Sequence, residues 1–344
     1  MKYTDNIDVS GFGHSHVQGI AVDAKREYMY LSFTTEFVKT DMKGNIIGTV
    51  KGLLGHLGCI AYNYDDGKVY GTLEYKDDAI GKGIANSTGR AIDRNAFYIA
   101  SFDVEKIDRI GMSAEHDDVM TTVFMHEVYN DFSAEGHTYG CAGMDGTTFA
   151  PLPGEKDGKK YLYVAYGIYS DLERSDNDYQ IVVRYDTSDW DKYAQPLNQN
   201  NVHTSGPQKP DSKYFVYTGN TNYGVQNLEY DPVTGYMFAA VYRGKKPEFP
   251  NYSMFAFDRT QKPVKEMLKG INEEHETMAL AKVFECDEKT GIYGSRFPHG
   301  STGMISLGDG YFYMSEPYRN EDIFGTVIRL YKYDEKEGFV KAEE

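Results

Sequence analysis

Two histidines one residue apart, His14 and His16, stand in the segment GFGHSHVQGIAVD directly before an apolar run. On a strand, side chains at i and i+2 point to the same side, so both imidazoles can approach one ligand. Neutral imidazole is a common ligand of divalent transition metals, and a bound ion can polarise a carbonyl or carboxylate of a substrate. The pair therefore indicates a metal or anion site, provided that the fold brings further ligands to it.

The stretch that follows these histidines repeats along the chain. Related segments begin at residues 16, 56, 140, 224 and 300 and read HVQGIAVD, HLGCIAYN, GCAGMDGT, GVQNLEYD and GSTGMISL. Each is followed by a turn rich in Asp and Gly, by a Tyr-rich strand, and by a third strand that ends in Asp41, Asp103, Asp186, Asp258 or Asp334. Asp-Gly pairs are typical of hairpin turns, because Gly adopts positive φ and Asp bonds its own backbone.

Five repeats of four antiparallel strands predict an all-β, five-bladed β-propeller with a central channel. We expect one domain over residues 1–344, with blades near 13–54, 55–136, 137–221, 222–297 and 298–344. An N-terminal strand near NIDVSGF should pair with the last blade, which removes the open sheet edge. Two stacked sheets are the structural alternative.

The middle repeats are longer than the first because they carry polar insertions. Three of these, within 76–95, 171–179 and 187–211, are predicted to be loops. The fourth, TQKPVKEMLKGINEEHETM at 260–278, is predicted to contain a short helix. A fourth strand is expected at ALAKVFEC, at the outer edge of the fourth blade.

Histidines concentrate where the chain enters each blade. Of nine histidines, five fall in these short connections. In a propeller, these connections and the loops between second and third strands lie on one face, so we predict a metal site at that mouth of the channel. The candidate metal ligands are His14, His16, His56, His137 and His299.

Other polar side chains occur in register with the histidines or in the loops of the same face. The candidate catalytic residues are Tyr139, Tyr223, His299, Arg243, Glu74 and Glu316. The candidate substrate-binding residues are Gln18, Tyr166, Gln226, Tyr242 and Arg319. Tyr and Arg suit a sugar or an anionic group, and Tyr or a metal-free His can act as general acid or base.

Composition restricts the setting. The 52 acidic and 36 basic residues give a net charge of −16, which repels phosphate backbones and anionic lipid, so neither nucleic acid nor membrane is an expected partner. Three widely spaced cysteines favour a reducing compartment without a disulfide framework. The start MKYTDNIDVS has no apolar signal region. We therefore expect a cytoplasmic protein.

The strand and turn pattern resembles propellers of the NHL/YVTN/SMP-30-like group, and the resemblance implies architecture only. The His-x-His pair, the further channel histidines and Gln18 or Gln226 are similar to the site of the propeller oligogalacturonate lyases. That resemblance implies a bound divalent metal (Mn, Ni, Co, Fe or Zn), a small sugar or oligosaccharide as ligand, and β-elimination on a uronate or keto-sugar glycoside.

Two alternatives stay open. Glu74 and Glu316 are candidates for the acid and nucleophile of a carboxylate-based glycoside hydrolase, although that class usually places acidic residues on inner strands. The inner strands here offer mainly His, Gln, Gly and Thr. The third hypothesis is a non-catalytic propeller that binds a ligand or a protein.

Overall fold

The computed structural model describes residues 3–12, 16–90, 94–320 and 323–342. Five antiparallel sheets follow one another along the chain and form five blades, which confirms the β-propeller prediction. Blade 1 consists of Gly19–Val22, Tyr28–Phe33, Glu36–Asp41 and Ile46–Lys51. Blade 2 consists of His56–Tyr62, Val69–Tyr75, Ala96–Phe102 and Met120–Phe124. Blade 3 consists of Cys141–Ala150, Tyr161–Ile168, Tyr179–Tyr185 and Ser212–Tyr217.

Blades 4 and 5 complete the ring. Blade 4 consists of Asn222–Tyr230, Tyr236–Tyr242 and Met254–Asp258, and the hairpin Glu285–Asp287 and Ile292–Gly294 lies beside it. Blade 5 consists of Met304–Ser306, Tyr311–Asn320, Ile323–Asp334 and Gly338–Lys341. The N-terminal strand Ile7–Asp8 also pairs with Ile323–Asp334, and Ile7 lies opposite Ile328. The chain therefore closes where the sequence indicated, through a strand that precedes blade 1.

Apolar side chains fill the space between neighbouring blades. Each of the five junctions has its own buried cluster, including the junction of blade 5 with blade 1. At the first junction the rings of Phe37 and Phe102 stack with centroids 4.3 Å apart. Many tyrosines of the second strands are buried here, among them Tyr30 and Tyr163. Packing between blades therefore accounts for much of the unusual Tyr content.

The insertions extend the outer edge of the preceding blade. Met112–Ser113 adds to blade 1 and Gln195–Pro196 adds to blade 2. The hairpin Val264–Met267 and Glu274–Thr277 adds to blade 3, where Tyr214 lies opposite Glu276. The short helix predicted within 260–278 is therefore wrong. The unpaired edge of blade 3 offers this segment inter-strand hydrogen bonds, and such a tertiary contact outweighs a weak helix propensity.

The loop predicted over 76–95 is wrong in its central part, because helix α1 spans Ala79–Thr88. The side chain of Asp78 caps its N-terminus by accepting from the Gly81 N–H at 2.9 Å, and Gly89 ends it in the left-handed conformation. Glycines within the segment lower its helix propensity and hid the signal. A second helix, α2, spans His126–Ser133, and short 3₁₀ turns span Thr138–Gly140 and Trp190–Lys192.

The fourth strand predicted for blade 4 is not formed as a ladder. In the described part of the chain, the segment around Leu280 makes only an isolated bridge with Phe257, and Ser295 makes another with Met254. The aspartates that end the third strands do cap turns: Asp41, Asp186, Asp258 and Asp334 each accept a backbone N–H two residues further on. Within the described ranges, no helix is both long enough and apolar enough to cross a membrane.

Candidate functional site

The first strands of the blades surround the channel, and polar contacts close it at mid-height. The Asn227 side chain donates from Nδ2 to the carbonyl oxygens of Gln18 at 2.9 Å and Ser301 at 3.2 Å. Its Oδ1 accepts from the Cys59 thiol at 3.4 Å. Asn227 and Cys59 are both buried. The two ends of the channel consequently form two separate cavities.

The larger cavity, of about 450 Å³, lies at the end where the chain enters each blade, and we call it the histidine cavity. Helix α1 covers one side of it with Ile80 and Ile84. Its other lining residues include His16, Gln18, Thr34, His56, Glu74, Lys76, Met144, Asp145, Tyr223, Gln226 and Tyr242. This volume suits a small organic ligand, and the lining combines apolar walls with a few convergent polar groups.

The two imidazoles in this cavity are neutral at pH 7. His56 begins the first strand of blade 2, and burial, followed by the positive charge of Lys76, lowers its pKa to about 3. His16 is half-buried, and burial lowers its pKa as well. Neutral imidazole can accept a proton from a substrate or a water molecule, and the less buried His16 is the better base of the two.

A buried ion pair lies next to His56. The Lys76 ammonium contacts Glu74 Oε2 at 2.7 Å, and the two side chains are only 7% and 3% exposed. Lys76 also donates to the Ala142 carbonyl at 2.9 Å, and Glu74 accepts from the Met144 N–H. Although burial lowers the pKa of Lys76, Glu74 raises it above its usual value, so the lysine is charged. A side chain at Gly143 would place its Cβ 2.0 Å from Glu74 Oε1, and this glycine therefore makes room for the pair.

Asp145 projects from the first strand of blade 3 and is 8% exposed. Its Oδ1 accepts from the Cys59 N–H at 3.1 Å. Gly58 permits this approach, because a Cβ there would lie 2.0 Å from the same oxygen. Burial, and then the negative charge of Glu74, raise the pKa of Asp145 well above its ordinary value. Burial therefore favours the protonated form of Asp145, which is the form that can donate a proton into the cavity.

Amides and phenols supply the remaining polar contacts. Gln18 donates to the Thr34 hydroxyl at 3.2 Å, and Gln226 donates to the Tyr223 carbonyl at 3.1 Å. Burial is the main cause that raises the pKa of Tyr242 to about 12, and the nearby Asp145 acts in the same direction wherever it ionises, so this phenol is a hydrogen-bond donor. Tyr223 is 45% exposed at the rim. The set can orient a ligand that carries hydroxyl groups.

The structure thus brings together part of the residue set that the sequence singled out. The candidates that line the histidine cavity are His16, Gln18, His56, Glu74, Tyr223, Gln226 and Tyr242. His14 lies outside the described residues. The other candidates lie elsewhere in the fold: His137, Tyr139, Tyr166, Arg243, His299, Glu316 and Arg319.

The separated candidates have other partners. The His137 imidazole bonds the Phe132 carbonyl, and Tyr166 donates to Asp131 at 2.8 Å. Tyr139 contacts Glu273 at 3.1 Å, and Arg243 donates to the Asn251 carbonyl at 3.0 Å.

On blade 5, His299 packs against Phe297 and Tyr331, and Glu316 accepts from the Tyr331 hydroxyl at 2.6 Å. Arg319 is exposed near the end of a long strand. Packing against these rings holds the His299 imidazole away from the histidine cavity. A histidine in the segment that leads into a blade therefore does not always point toward the channel axis.

The described donors of the histidine cavity, which do not include His14, do not fit a divalent metal. Among the described residues, no group of three or more His, Cys, Asp or Glu side chains is arranged to hold one. The cavity offers His16 and His56, but the Lys76 ammonium beside His56 opposes a second cation. Burial disfavours the ionised form of Asp145, the form that could bind a metal. The described side chains of this cavity are therefore better suited to proton transfer than to holding a divalent ion.

Two functional candidates, Lys76 and Asp145, are absent from the set that the sequence provided. Asp145 is the one acidic residue in the apolar inner strand CAGMDGTTFA, and a carboxylate at such a position is unusual without a role. Lys76 follows directly after the strand Val69–Tyr75. Lys76 is buried by contacts with blade 3, and the residues around it in the sequence do not predict those contacts.

No family model matches the chain, and no curated protein matches it. Many solved structures match the chain at the level of fold, and three of them follow. The chain aligns with the Dos1 propeller at 10% identity and a TM-score of 0.36, covering 99% of this chain and 63% of that one. It aligns with the holo form of the pyranose dehydrogenase PQQ domain from Coprinopsis cinerea at 9% identity and a TM-score of 0.40, covering 90% and 81%. It aligns with Kuenenia stuttgartiensis hydrazine synthase at 9% identity and a TM-score of 0.33, covering 96% and 65%.

The chain therefore spans less than two thirds of the length of two of these structures. The comparisons show neither membership of the NHL/YVTN/SMP-30-like group nor a relation to the oligogalacturonate lyases.

Proposed function

We propose that this propeller is a carbohydrate-active enzyme that cleaves a small, uncharged glycoside in the histidine cavity by general acid–base catalysis. The observation that carries the proposal is Asp145, a buried carboxyl whose pKa is raised and which lines the same cavity as two neutral imidazoles. General acid–base catalysis needs one group that gives a proton and another that accepts one, and their different surroundings in a single cavity set the two pKa values apart.

The charges of the cavity favour an uncharged ligand. Glu74 and Lys76 neutralise each other, burial favours the uncharged form of Asp145, and both imidazoles are neutral. An anionic uronate would find no unpaired cation among the described residues of the lining. A sugar ring has hydroxyl groups around its edge and apolar C–H groups on its faces. The hydroxyls can bond Gln18, Gln226 and Tyr242, and the C–H groups can pack against Met144.

In the proposed reaction, Asp145 gives its proton to the glycosidic oxygen while the bond from that oxygen to the anomeric carbon breaks. A water molecule adds to the anomeric carbon, and His16 takes the proton that the water loses. The products are the free sugar, whose anomeric carbon now carries a hydroxyl as a hemiacetal, and the alcohol that was the leaving group. Proton exchange with solvent restores the acid and the base. Glu74 and Lys76 position Met144 and the strand that carries Asp145 rather than react.

Elimination, which the sequence favoured, would use the same acid to protonate the leaving oxygen. It also requires a base strong enough to remove a proton from carbon, usually helped by a metal ion on the neighbouring carboxylate. The low pKa of His56 and the lack of a fitting metal set among the described residues make hydrolysis the better supported reaction.

The test is the leaving-group dependence of Asp145→Asn. Wild type is screened on neutral nitrophenyl and alkyl glycosides, and we expect cleavage of at least one sugar type. Asp145→Asn should lower kcat/KM about 10²–10⁴-fold on the alkyl glycoside, which needs protonation, and far less on the nitrophenyl glycoside. Wild-type activity should fall at alkaline pH as Asp145 ionises, and this fall should be absent in Asp145→Asn.

The matched control is Asp178→Asn. Burial raises the pKa of this aspartate too, but its carboxylate contacts Lys246 at 2.5 Å and it does not line the cavity. It should cleave both glycosides like wild type. The proposal fails if wild type cleaves no glycoside, or if Asp145→Asn slows both leaving groups equally.

A further inference from the structure

The opposite end of the channel holds a second cavity of about 310 Å³, which we call the tyrosine cavity. It is lined by the carboxyl ends of the five inner strands and by the turns that follow them. The residues that matter are Arg26, Tyr62, Tyr64, Phe149, Lys160, Glu229, Tyr230 and Leu307. Because Asn227 closes the channel between them, this cavity is separate from the histidine cavity.

Lys160 is the distinctive charge of this cavity. It is half-buried, and its ammonium lies 5.3 Å from the centre of the Tyr230 ring. Among the described residues, no carboxylate lies within ion-pair distance of it. Burial, and then the nearby Arg259, lower its pKa, while Asp157 and Asp65 raise it by less. The neighbouring Lys159, by contrast, pairs with Asp186 at 2.5 Å.

The other charged groups that line the cavity are already occupied. The Arg26 guanidinium bonds the Leu307 carbonyl and the Tyr3 hydroxyl. The Asp23 carboxylate accepts three backbone N–H groups of its own turn. Glu229 accepts from the Ser306 N–H at 3.0 Å, and burial raises its pKa well above its ordinary value. Burial therefore disfavours the charged form of Glu229, the form that would repel an anion.

Aromatic side chains form the wall. Tyr62 and Tyr64 pack edge to face with centroids 5.1 Å apart, and Tyr64 is 56% exposed. Phe149 and Tyr230 add further ring surface. A large exposed ring at the rim of a cavity provides a surface on which a flat apolar ligand can stack.

We propose that the tyrosine cavity binds a small aromatic monocarboxylate. Its carboxylate pairs with the Lys160 ammonium, and its ring packs against Tyr62 and Tyr64. One unpaired cation and no ionised, unengaged carboxylate in the described lining select a single negative charge. This site is independent of the proposed hydrolysis, since it shares no lining residue with the histidine cavity.

Calorimetric titration of the full chain with benzoate tests the proposal, and the uncharged benzamide is the matched ligand. We expect saturable binding of one benzoate, at least tenfold tighter than benzamide and weakened by salt. Lys160→Gln should weaken benzoate binding at least tenfold and leave benzamide binding unchanged. Tyr64→Ala should weaken both ligands.

Lys159→Gln is the control, because it removes the adjacent lysine that does not line the cavity. It should bind benzoate like wild type. The proposal is overturned if wild type does not bind benzoate, if benzamide binds equally well, or if the two lysine variants behave alike. Glycoside cleavage by the histidine cavity should continue in Lys160→Gln, which separates this outcome from that of the proposed enzyme.

Discussion

The two ends of the channel are built from the same five strands, yet they handle charge in opposite ways. Each end has a buried carboxyl whose pKa lies well above its ordinary value, Asp145 at one end and Glu229 at the other. Burial also raises the pKa of Glu74 in the histidine cavity. In the histidine cavity the charged neighbours, Glu74 and Lys76, are paired within the protein. In the tyrosine cavity Lys160 has no such partner among the described residues.

This difference teaches what each end is suited to do. A cavity whose fixed charges cancel, and whose acid and bases are neutral, is prepared to move protons in an uncharged ligand. A cavity with an uncompensated cation gains most when an anion arrives. Three stability measurements test this contrast, and they follow in order of the effect expected.

Breaking the internal pair should have the largest effect. Lys76→Met leaves the Glu74 carboxylate buried and uncompensated, so we expect a loss of about 3–5 kcal/mol in the free energy of unfolding. The double variant Glu74→Gln and Lys76→Met should recover most of it. Denaturant unfolding at pH 7 measures both.

The exposed pair of Lys82 and Asp77, 3.3 Å apart with side chains 70% and 78% exposed, provides the reference. Lys82→Met should change the unfolding free energy by less than about 1 kcal/mol. If Lys76→Met and Lys82→Met lowered the free energy of unfolding equally, the Glu74–Lys76 pair would not be shielded from solvent as described.

An intermediate effect is expected when the pH is lowered. His56 has a pKa of about 3 in the folded chain and near 6.5 when unfolded, so the unfolded state binds the proton first as pH falls. The stability from this group is complete above pH 6.5 and declines toward pH 3. Between pH 7 and pH 5 the loss is about 2 kcal/mol.

His56→Gln should reduce this acid sensitivity, and denaturant unfolding at the two pH values measures it. His116→Gln, at an exposed position, should not change it. If both variants unfold with the pH dependence of wild type, His56 is not held neutral in the fold.

The smallest effect concerns the two buried carboxyls in alkaline solution. Because folding raises the pKa of both, their stabilising contribution is present at low pH and is lost as the pH rises above their unfolded values toward their folded values. Asp145→Asn and Glu229→Gln should therefore each be more stable than wild type at pH 8.5, by about 1.4 kcal/mol for each unit by which folding raises the pKa of the carboxyl. At pH 4 the gain should vanish.

Thermal unfolding at both pH values distinguishes the two ends. An effect of Glu229→Gln without one of Asp145→Asn would show that only the tyrosine cavity holds its carboxyl neutral. The proposed acid of the histidine cavity would then be absent.

The sequence was sufficient for the ring and its five blades, because strand and turn signals are local and recur in register. The aspartates after the third strands illustrate this, since Asp41 bonds the backbone only two residues away. Non-local pairing was harder to predict. The segment 264–277 forms strands because it pairs with the edge of blade 3. The residues within the segment do not indicate that this edge is available, so the pairing could not be predicted from them.

The candidate site could be predicted in part for the same reason. His16 and His56 lie in equivalent positions of consecutive blades, so their convergence follows from the repeat. His299 occupies a similar position in sequence but packs against Phe297 and Tyr331. Lys76 owes its burial to Glu74 and to the Ala142 carbonyl, and this depends on how two blades approach one another.

The closure of the axis by Asn227 and Cys59 also determines how molecules enter and leave. The propeller is a pair of dead ends rather than a tunnel, so a polymer cannot be threaded through it. Only a chain terminus or a short oligomer can reach the floor of the histidine cavity. In the proposed reaction, the product would leave the histidine cavity through the same opening by which the next substrate enters, so the two would exclude each other.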